Sequence, residues 1–278
     1  MNRDERKKMG EETLKIIADG FYYSSTGQRV DIKSDLDESL KNTKLYKPED
    51  FDKVLQVAQK AHKQDTGISV TNSTSLEATK TSLGSSLKVC CLNFASAKNP
   101  GGGFLNGSQA QEESLARSSG LYHSISAQQE MYEYNRNTKN LLYSDYMIYS
   151  PEVPIFRDDT GKLLEKPYKA SFITSPAVNA GAIAQNQKHD LNKIIPVMKH
   201  RAKYILLVAA ENKCDVLILG AWGCGVFRND PQDIATIFYD LLKHDNDTAN
   251  LLKEVVFAIY DSSAEKATLN TFLERFKS

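Results

Sequence analysis

Glu112 and Glu113 stand side by side just after a run of three glycines, Gly101–Gly103, in the stretch NPGGGFLNGSQAQEES. Glycine allows positive φ and lets backbone N–H groups approach a ligand closely. A carboxyl group placed beside such a backbone can move a proton on a bound molecule. QEESLARSSGLY reads as the start of a helix. Neighbours on a helix diverge by about 100°, so the two glutamates cannot share one proton and must serve different atoms. A helix start favours the ionised carboxylate, whereas a general acid needs a raised pKa. A bound anion would raise it by like charge. The pair therefore reads as acid/base chemistry on an anionic substrate. The plainer alternative is helix-start acids complementing a dipole, preceded by a flexible turn.

A second glycine loop, GAWGCGVFRNDPQ, carries Gly220, Gly223 and Gly225. Asn229 or Asp230 can cap the next helix, and Pro231 suits its first turn. Strand, glycine loop and helix start together form an anion site built from unpaired N–H groups. It is not a dinucleotide fingerprint, because the third glycine of GxGxxG would fall at Arg228, and no Walker lysine is present. The four cysteines, Cys90, Cys91, Cys214 and Cys224, form no CxxC pair, and the five histidines lack metal-ligand spacing. Free thiols in a reducing compartment are expected, with no metal and no cofactor.

The elements that must position these residues show a clear alternation. Met9, Leu14, Ile17 and Phe21 recur at helical spacing, with Gly20 as a stop. Residues 48–63 read as an amphipathic helix started by Pro48, and residues 77–84 as a helical turn. Strands are expected at 67–71, 87–95, 145–151, 169–176, 215–221 and 254–261. Helices are expected at 111–120, 128–138, 190–212, 231–244 and 264–277. The apolar run LKVCCLNFA over 87–95 reads as a strand buried on both faces. Residues 215–261 read as one βαβ unit, and the whole as a layered α/β fold with a largely parallel sheet. Both glycine loops follow strands, at the carboxyl edge where open α/β sheets bind ligands. One compact unit is expected: an N-terminal helical extension over 1–80, packed on a catalytic core over 81–278. The 278 residues are 41% hydrophobic and 25% charged, with 35 acids balanced by 35 bases. No global field steers the chain to a polyanion or a membrane, which leaves room for a local basic patch. MNRDERKKMGEET is too charged for a signal peptide, and no apolar run nears the roughly 18 residues that span a bilayer. An intracellular, cytoplasmic protein is expected, nuclear if the source is eukaryotic.

Gly101–Gly103, seven residues, then Gln111-Glu112-Glu113 resembles the signature of the poly(ADP-ribose) glycohydrolases. NFASAKNPGGGF, QAQEESLARSSGLY, MIYSPEVPIFRDD, SPAVNAGA and LGAWGCGVFRNDP resemble blocks of the microbial-type branch, and RKKMGEETLKIIADGFY resembles the segment before its core. The resemblance covers most of residues 5–262. It implies a macrodomain-like three-layer α/β/α fold with a mixed sheet, and hydrolysis of the ribose–ribose O-glycosidic bond of poly(ADP-ribose), from the chain end, to release ADP-ribose. By position it implies Glu113 as catalytic acid/base and Glu112 as the partner of ribose hydroxyls. Asn93 and Gln111 would bind substrate. Gly101, Gly102 and Gly103, with Gly223, Cys224, Gly225, Val226 and Phe227, would cradle the diphosphate, and Phe227 would pack on the terminal ribose. The implied partners are poly(ADP-ribose), ADP-ribose and poly(ADP-ribosyl)ated proteins, with no membrane and no sequence-specific nucleic acid, and the implied state is a monomer. Two other readings accompany it: an ADP-ribose-binding macrodomain that does not cut, and a mono-ADP-ribosyl hydrolase. Tyr122, Phe104, Trp222 and Tyr260 are the aromatics that could stack on adenine.

Overall fold

The apolar run at 87–95 forms the centre of the sheet, as its composition demands. In the computed structural model, which describes residues 1–84 and 86–277, β5 (Val89–Phe94) pairs in parallel with strands on both sides. In chain order the fold begins with α1 (Arg3–Asp19), β1 (Phe21–Tyr23), β2 (Arg29–Asp31), α2 (Lys33–Asn42), β3 (Lys44–Tyr46), α3 (Phe51–Ala58), β4 (Gly67–Thr71) and α4 (Ser75–Thr81). After β5 come α5 (Gln111–Ser118), α6 (Leu121–Ser126), α7 (Gln129–Asn137), β6 (Met147–Arg157), β7 (Leu163–Ser175), α8 (Ala180–Asn186) and α9 (Ile194–Glu211). The chain closes with β8 (Val216–Leu219), α10 (Pro231–Lys243), β9 (Glu254–Ala258) and α11 (Ala267–Arg275).

Seven strands form one mixed sheet in the order β3-β6-β7-β5-β8-β9-β4. From β7 to β4 all neighbours are parallel, while β6 pairs antiparallel with both β3 and β7. The expected βαβ unit is β8–α10–β9, a parallel pair joined by a helix. Alternate residues of each strand enter opposite cores. Cys90, Leu92, Leu217 and Phe257 pack with α9 and α10, whereas Val89, Cys91, Ile218 and Val256 pack with Leu115 of α5 and Tyr132 of α7. This is the three-layer arrangement, and burial on both faces explains why β5 reads as an unbroken apolar run.

Some elements differ from expectation. The helix expected over 48–63 is a short 3₁₀ turn at Pro48–Asp50 followed by α3, which ends at Ala58. The helix expected from 190 starts at Ile194, after a 3₁₀ segment at Lys188–Lys193. The strands expected at 145–151 and 169–176 are longer and belong to one antiparallel hairpin. Residues 1–80 are not only helical, since they supply β3 and β4, the two edge strands of the sheet. α1 starts with a capping box between Asn2 and Glu5 and ends at Gly20, where φ is 75°. It runs beside α5 and the turn Phe104–Asn106 and reaches the loop after β5, which brings the amino-terminal segment to the functional edge.

Candidate active site

β5 and β8 are adjacent and parallel, so the two glycine loops leave the same edge of the sheet side by side. The contact is close: a Cβ on Gly220 would lie 2.8 Å from the Phe94 ring and 2.7 Å from the Ala258 carbonyl. The first loop returns through a short 3₁₀ turn at Phe104–Asn106 into α5, whose N-cap is Ala110 and has no side-chain cap. Both glutamates sit in its first turn, as the reading of QEES required.

Their surroundings differ. Glu112 is buried against β5, where its Oε2 accepts from the Ser96 N–H at 2.6 Å and its Oε1 from Asn93 Nδ2 at 3.4 Å. Burial pushes its carboxyl up to about 8 against the lowering effect of the Ser96 N–H, and the neighbouring Glu113 charge adds to the rise. Glu113 turns to the glycines instead, its Oε1 accepting from the Gly103 N–H at 3.0 Å. Gly102, at φ 59°, explains the glycine run: a Cβ there would lie 2.5 Å from Glu113 Oε1 and 3.1 Å from Glu112 Oε2. The two carboxyl groups thus approach the same stretch of bare backbone from different directions.

Asn93 is fully buried, and its Nδ2 also donates to Thr174 Oγ1 at 3.2 Å. Its Oδ1 has no partner among the described residues, which is costly for a buried acceptor. Gln111 is spent on the fold. Its Oε1 accepts from the Phe94 N–H at 2.8 Å, and its Nε2 donates to the Leu92 carbonyl at 2.7 Å and to Ser75 Oγ at 3.0 Å. Gln111 clamps α5 to β5 and so positions the glutamates that follow.

In the second loop, the Cys224 N–H closes a turn on the Ala221 carbonyl at 3.1 Å. Burial pushes the Cys224 thiol up to about 12, with Asp230 and Asp233 adding to it, so the sulfur is no nucleophile at neutral pH. The N–H groups of Gly223, Gly225, Val226 and Phe227 make no hydrogen bond within the described residues. Three of these are consecutive, the arrangement that makes an anion-binding concavity. Gly223 has φ 77°, and a Cβ there would strike Asn229 and Ala177. The Val226 side chain is 81% exposed. The Phe227 ring is half-buried, 6.0 Å from the Tyr143 ring.

A cavity of about 970 Å³ opens on the same edge, lined by Phe94, Gln111, Gly225, Ile259 and Tyr260 among others. It takes Gln111, Ser114 and Leu115 from α5 but neither Glu112 nor Glu113. Of the four aromatics considered for a base, Trp222 and Phe104 are buried core residues, and Trp222 Nε1 donates to the Ser175 carbonyl. Tyr122 packs on Phe104 at 4.9 Å, while Tyr260 is exposed and lines the cavity.

Several positioning residues carry no motif. Arg117 is buried at the end of α5 and ties down the spacer between the glycines and the glutamates, donating to the Ser108 carbonyl at 2.7 Å and to Gln109 Oε1 at 2.5 Å. From α1, Arg3 and Arg6 donate to the carbonyls of Asn106 and Gly107 at 2.9 and 2.8 Å, and Thr13 donates to that of Arg117 at 2.7 Å. The only sequence signal for this bracing is the isolated Gly107, whose φ is 71°. Among the described residues no cluster of His, Cys, Asp or Glu could hold a metal ion.

The family model of the microbial-type poly(ADP-ribose) glycohydrolase catalytic domain matches residues 10–158. Among solved structures, the chain is similar to poly(ADP-ribose) glycohydrolase from Thermomonospora curvata, with 41% identity, TM-score 0.93, and coverage of 98% of this chain and 100% of that one. The same protein bound to the inhibitor ADP-HPD matches with TM-score 0.91 at 41% identity over 98% of this chain and 100% of that one. Poly(ADP-ribose) glycohydrolase from Deinococcus radiodurans in complex with ADP-ribose matches with TM-score 0.83 and 41% identity, covering 87% of this chain and 97% of that one. A comparison with curated proteins finds no match.

Proposed function

The chain belongs to the microbial-type poly(ADP-ribose) glycohydrolases, glycosidases that act on poly(ADP-ribose), and from that premise we propose how its residues divide the work. Glu113 is the acid/base, and the observation that carries this is its carboxylate hanging on the Gly103 N–H at 3.0 Å, beside bare glycine backbone on which a ribose can rest. It donates a proton to the departing 2′-oxygen of the next unit as the glycosidic C–O bond breaks. Positive charge then develops at the anomeric carbon in an oxocarbenium-like state. The substrate's own diphosphate, held by the N–H groups of Gly225, Val226 and Phe227, lies on the same edge and stabilises that charge. As a carboxylate, Glu113 next takes a proton from water, which attacks the anomeric carbon and frees ADP-ribose.

Glu112 takes a different part: its Oε2 is fixed by the Ser96 N–H at 2.6 Å, while its Oε1, held by Asn93 only at 3.4 Å, is left for a ribose hydroxyl. With its carboxyl raised to about 8 it keeps a proton near neutral pH and can donate to a ribose hydroxyl. The partnerless Asn93 Oδ1 accepts from another hydroxyl of that ribose. The adenine occupies the 970 Å³ cavity beside Tyr260, a volume within the range of ligand pockets. Cleavage proceeds from the chain end, on polymer attached to modified proteins, and the enzyme works as a monomer. Among the described residues no helix is long and apolar enough to cross a membrane.

The test is release of free ADP-ribose from poly(ADP-ribose), comparing wild type with Glu113→Gln. A folded Gln variant should lose about 10²–10⁴-fold or more of the rate, the scale of positioned acid/base catalysis. A Gln variant with near-full rate would remove Glu113 from the role. Hydrolysis of mono-ADP-ribosylated protein in preference to polymer would move the activity to the other hydrolase class.

A further inference from the structure

Four segments, the two glycine loops and the stretches about the ends of α7 and α8, are joined in series by hydrogen bonds. Arg136, at the end of α7, donates to the Lys98 carbonyl in the first glycine loop at 2.6 Å. The loop after α7 is held to the end of α8 by Gln187, which donates to the Lys139 carbonyl at 2.6 Å and accepts from the Leu141 N–H at 3.0 Å. α8 is joined in turn to the second glycine loop, where the Gly181 N–H donates to the Phe227 carbonyl at 2.9 Å and the Arg228 side chain lies over Gly181.

The charge on this rim is one-sided. Residues 96–110, 134–144, 176–188 and 220–229 carry Lys98, Arg136, Lys139, Lys188 and Arg228, and no aspartate or glutamate at all. None of the five cations is in a salt bridge among the described residues, and all but Lys98 are exposed. The large cavity is acidic by contrast, lined by Glu77, Asp158, Asp159 and Asp261 with Lys80 as its one cation. In a chain with 35 acids and 35 bases, this separation is local and lies at the site. A polyanion leaving the glutamates would be repelled on one side and drawn to the other.

We propose that the rim of Lys98, Arg136, Lys139, Lys188 and Arg228 is a binding surface for the diphosphate of the ADP-ribose unit beyond the bond that is cut. This rests on the glycohydrolase reading above and adds a direction to it: the terminal unit lies in the glycine loops, and the rest of the polymer leaves across α7 and α8. The interaction is electrostatic and exposed, so it acts on capture of polymer more than on the chemical step.

The experiment compares Lys139→Glu/Lys188→Glu, which leaves both glycine loops untouched, with wild type on two substrates. One is poly(ADP-ribose). The other is ADP-ribose carrying a small aryl leaving group at the anomeric carbon, which has no further unit to bind. For polymer, KM should rise roughly tenfold with kcat within about twofold, and the wild-type salt dependence of kcat/KM should weaken. Hydrolysis of the aryl compound should be unchanged. Lys139→Gln/Lys188→Gln, which removes the charge without reversing it, provides a second variant with the same expected split. An unchanged polymer KM in the folded variants would overturn the rim while leaving the glycohydrolase intact, as would equal losses on both substrates. Wild type inactive on polymer and aryl compound alike would overturn the glycohydrolase reading, and the rim with it.

Discussion

Glu112 accepts two hydrogen bonds, from Ser96 and Asn93, and burial still raises its carboxyl from 4.5 to about 8. That shift links pH to stability in a definite direction. Below about pH 4.5 the group is protonated folded or unfolded, and nothing is lost. Between 4.5 and about 8 the unfolded chain releases the proton while the folded chain retains it, so stability falls as pH rises, and above about 8 the loss is complete. Glu112→Gln keeps the shape and removes the titration. Its melting temperature should match wild type near pH 5 and exceed it by about 5 °C or more at pH 8, since each pKa unit is ~1.4 kcal/mol and each kcal/mol shifts a chain of this size by about 2 °C. A gap between the two melting curves that stays constant across this range would show that Glu112 is ionised throughout. Release of ADP-ribose should fall in the same variant, because the amide does not reproduce the carboxyl's hydrogen bond to the ribose hydroxyl.

α1 braces the catalytic loop through carbonyls, and its tightest contact is at Gly107, where a Cβ would collide with the Arg3 carbonyl and φ is 71°. Gly107→Ala should therefore push α1 off the loop. A melting temperature lowered by several degrees together with a reduced kcat on polymer is expected, against a strain of about 1–3 kcal/mol at such a position. Wild-type kcat in that variant would mean that the loop holds its shape without α1. Apart from the isolated Gly107, this bracing was not legible in the sequence, because it runs from side chains to main-chain carbonyls, which any residue supplies. What was legible follows from burial. β5, β8 and β9 are apolar on both faces and stand out as runs, and the GGG and QEE blocks stand out by composition. β3 has three residues, Lys44–Tyr46, too few for any period. The outer half of the β6–β7 hairpin, with Pro154, Pro167 and several charges, does not read as strand. It forms because its outer end binds the amino-terminal segment, with Tyr22 donating to the Leu164 carbonyl at 2.7 Å and Ser24 and Thr26 to Glu165. In the site, the glutamates were legible but the duty of Gln111 was not, since all three of its partners are distant in sequence.

The sheet as a whole constrains how the chain can be divided. β3 and β4 both come from the first 80 residues and occupy opposite edges of the seven-stranded sheet, β3 against β6 and β4 against β9. Removing that segment would uncover two edges at once, and the β9 edge belongs to the fully parallel half. Open edges of this kind pair with other chains. The same cut would remove α1 from the catalytic loop and most of α4 from the core beside α5 and α7, where its buried Leu76 packs in the cluster with Cys91 and Ile218. A chain truncated to residues 81–278 should therefore be recovered aggregated or unfolded, without cooperative thermal unfolding and without release of ADP-ribose. If residues 1–80 only extend an autonomous core, the truncated chain would instead melt cooperatively as a monomer and lose no more than the contribution of α1 to kcat. The topology favours the first outcome, because a seven-stranded sheet with both borders drawn from one segment cannot be closed by what remains.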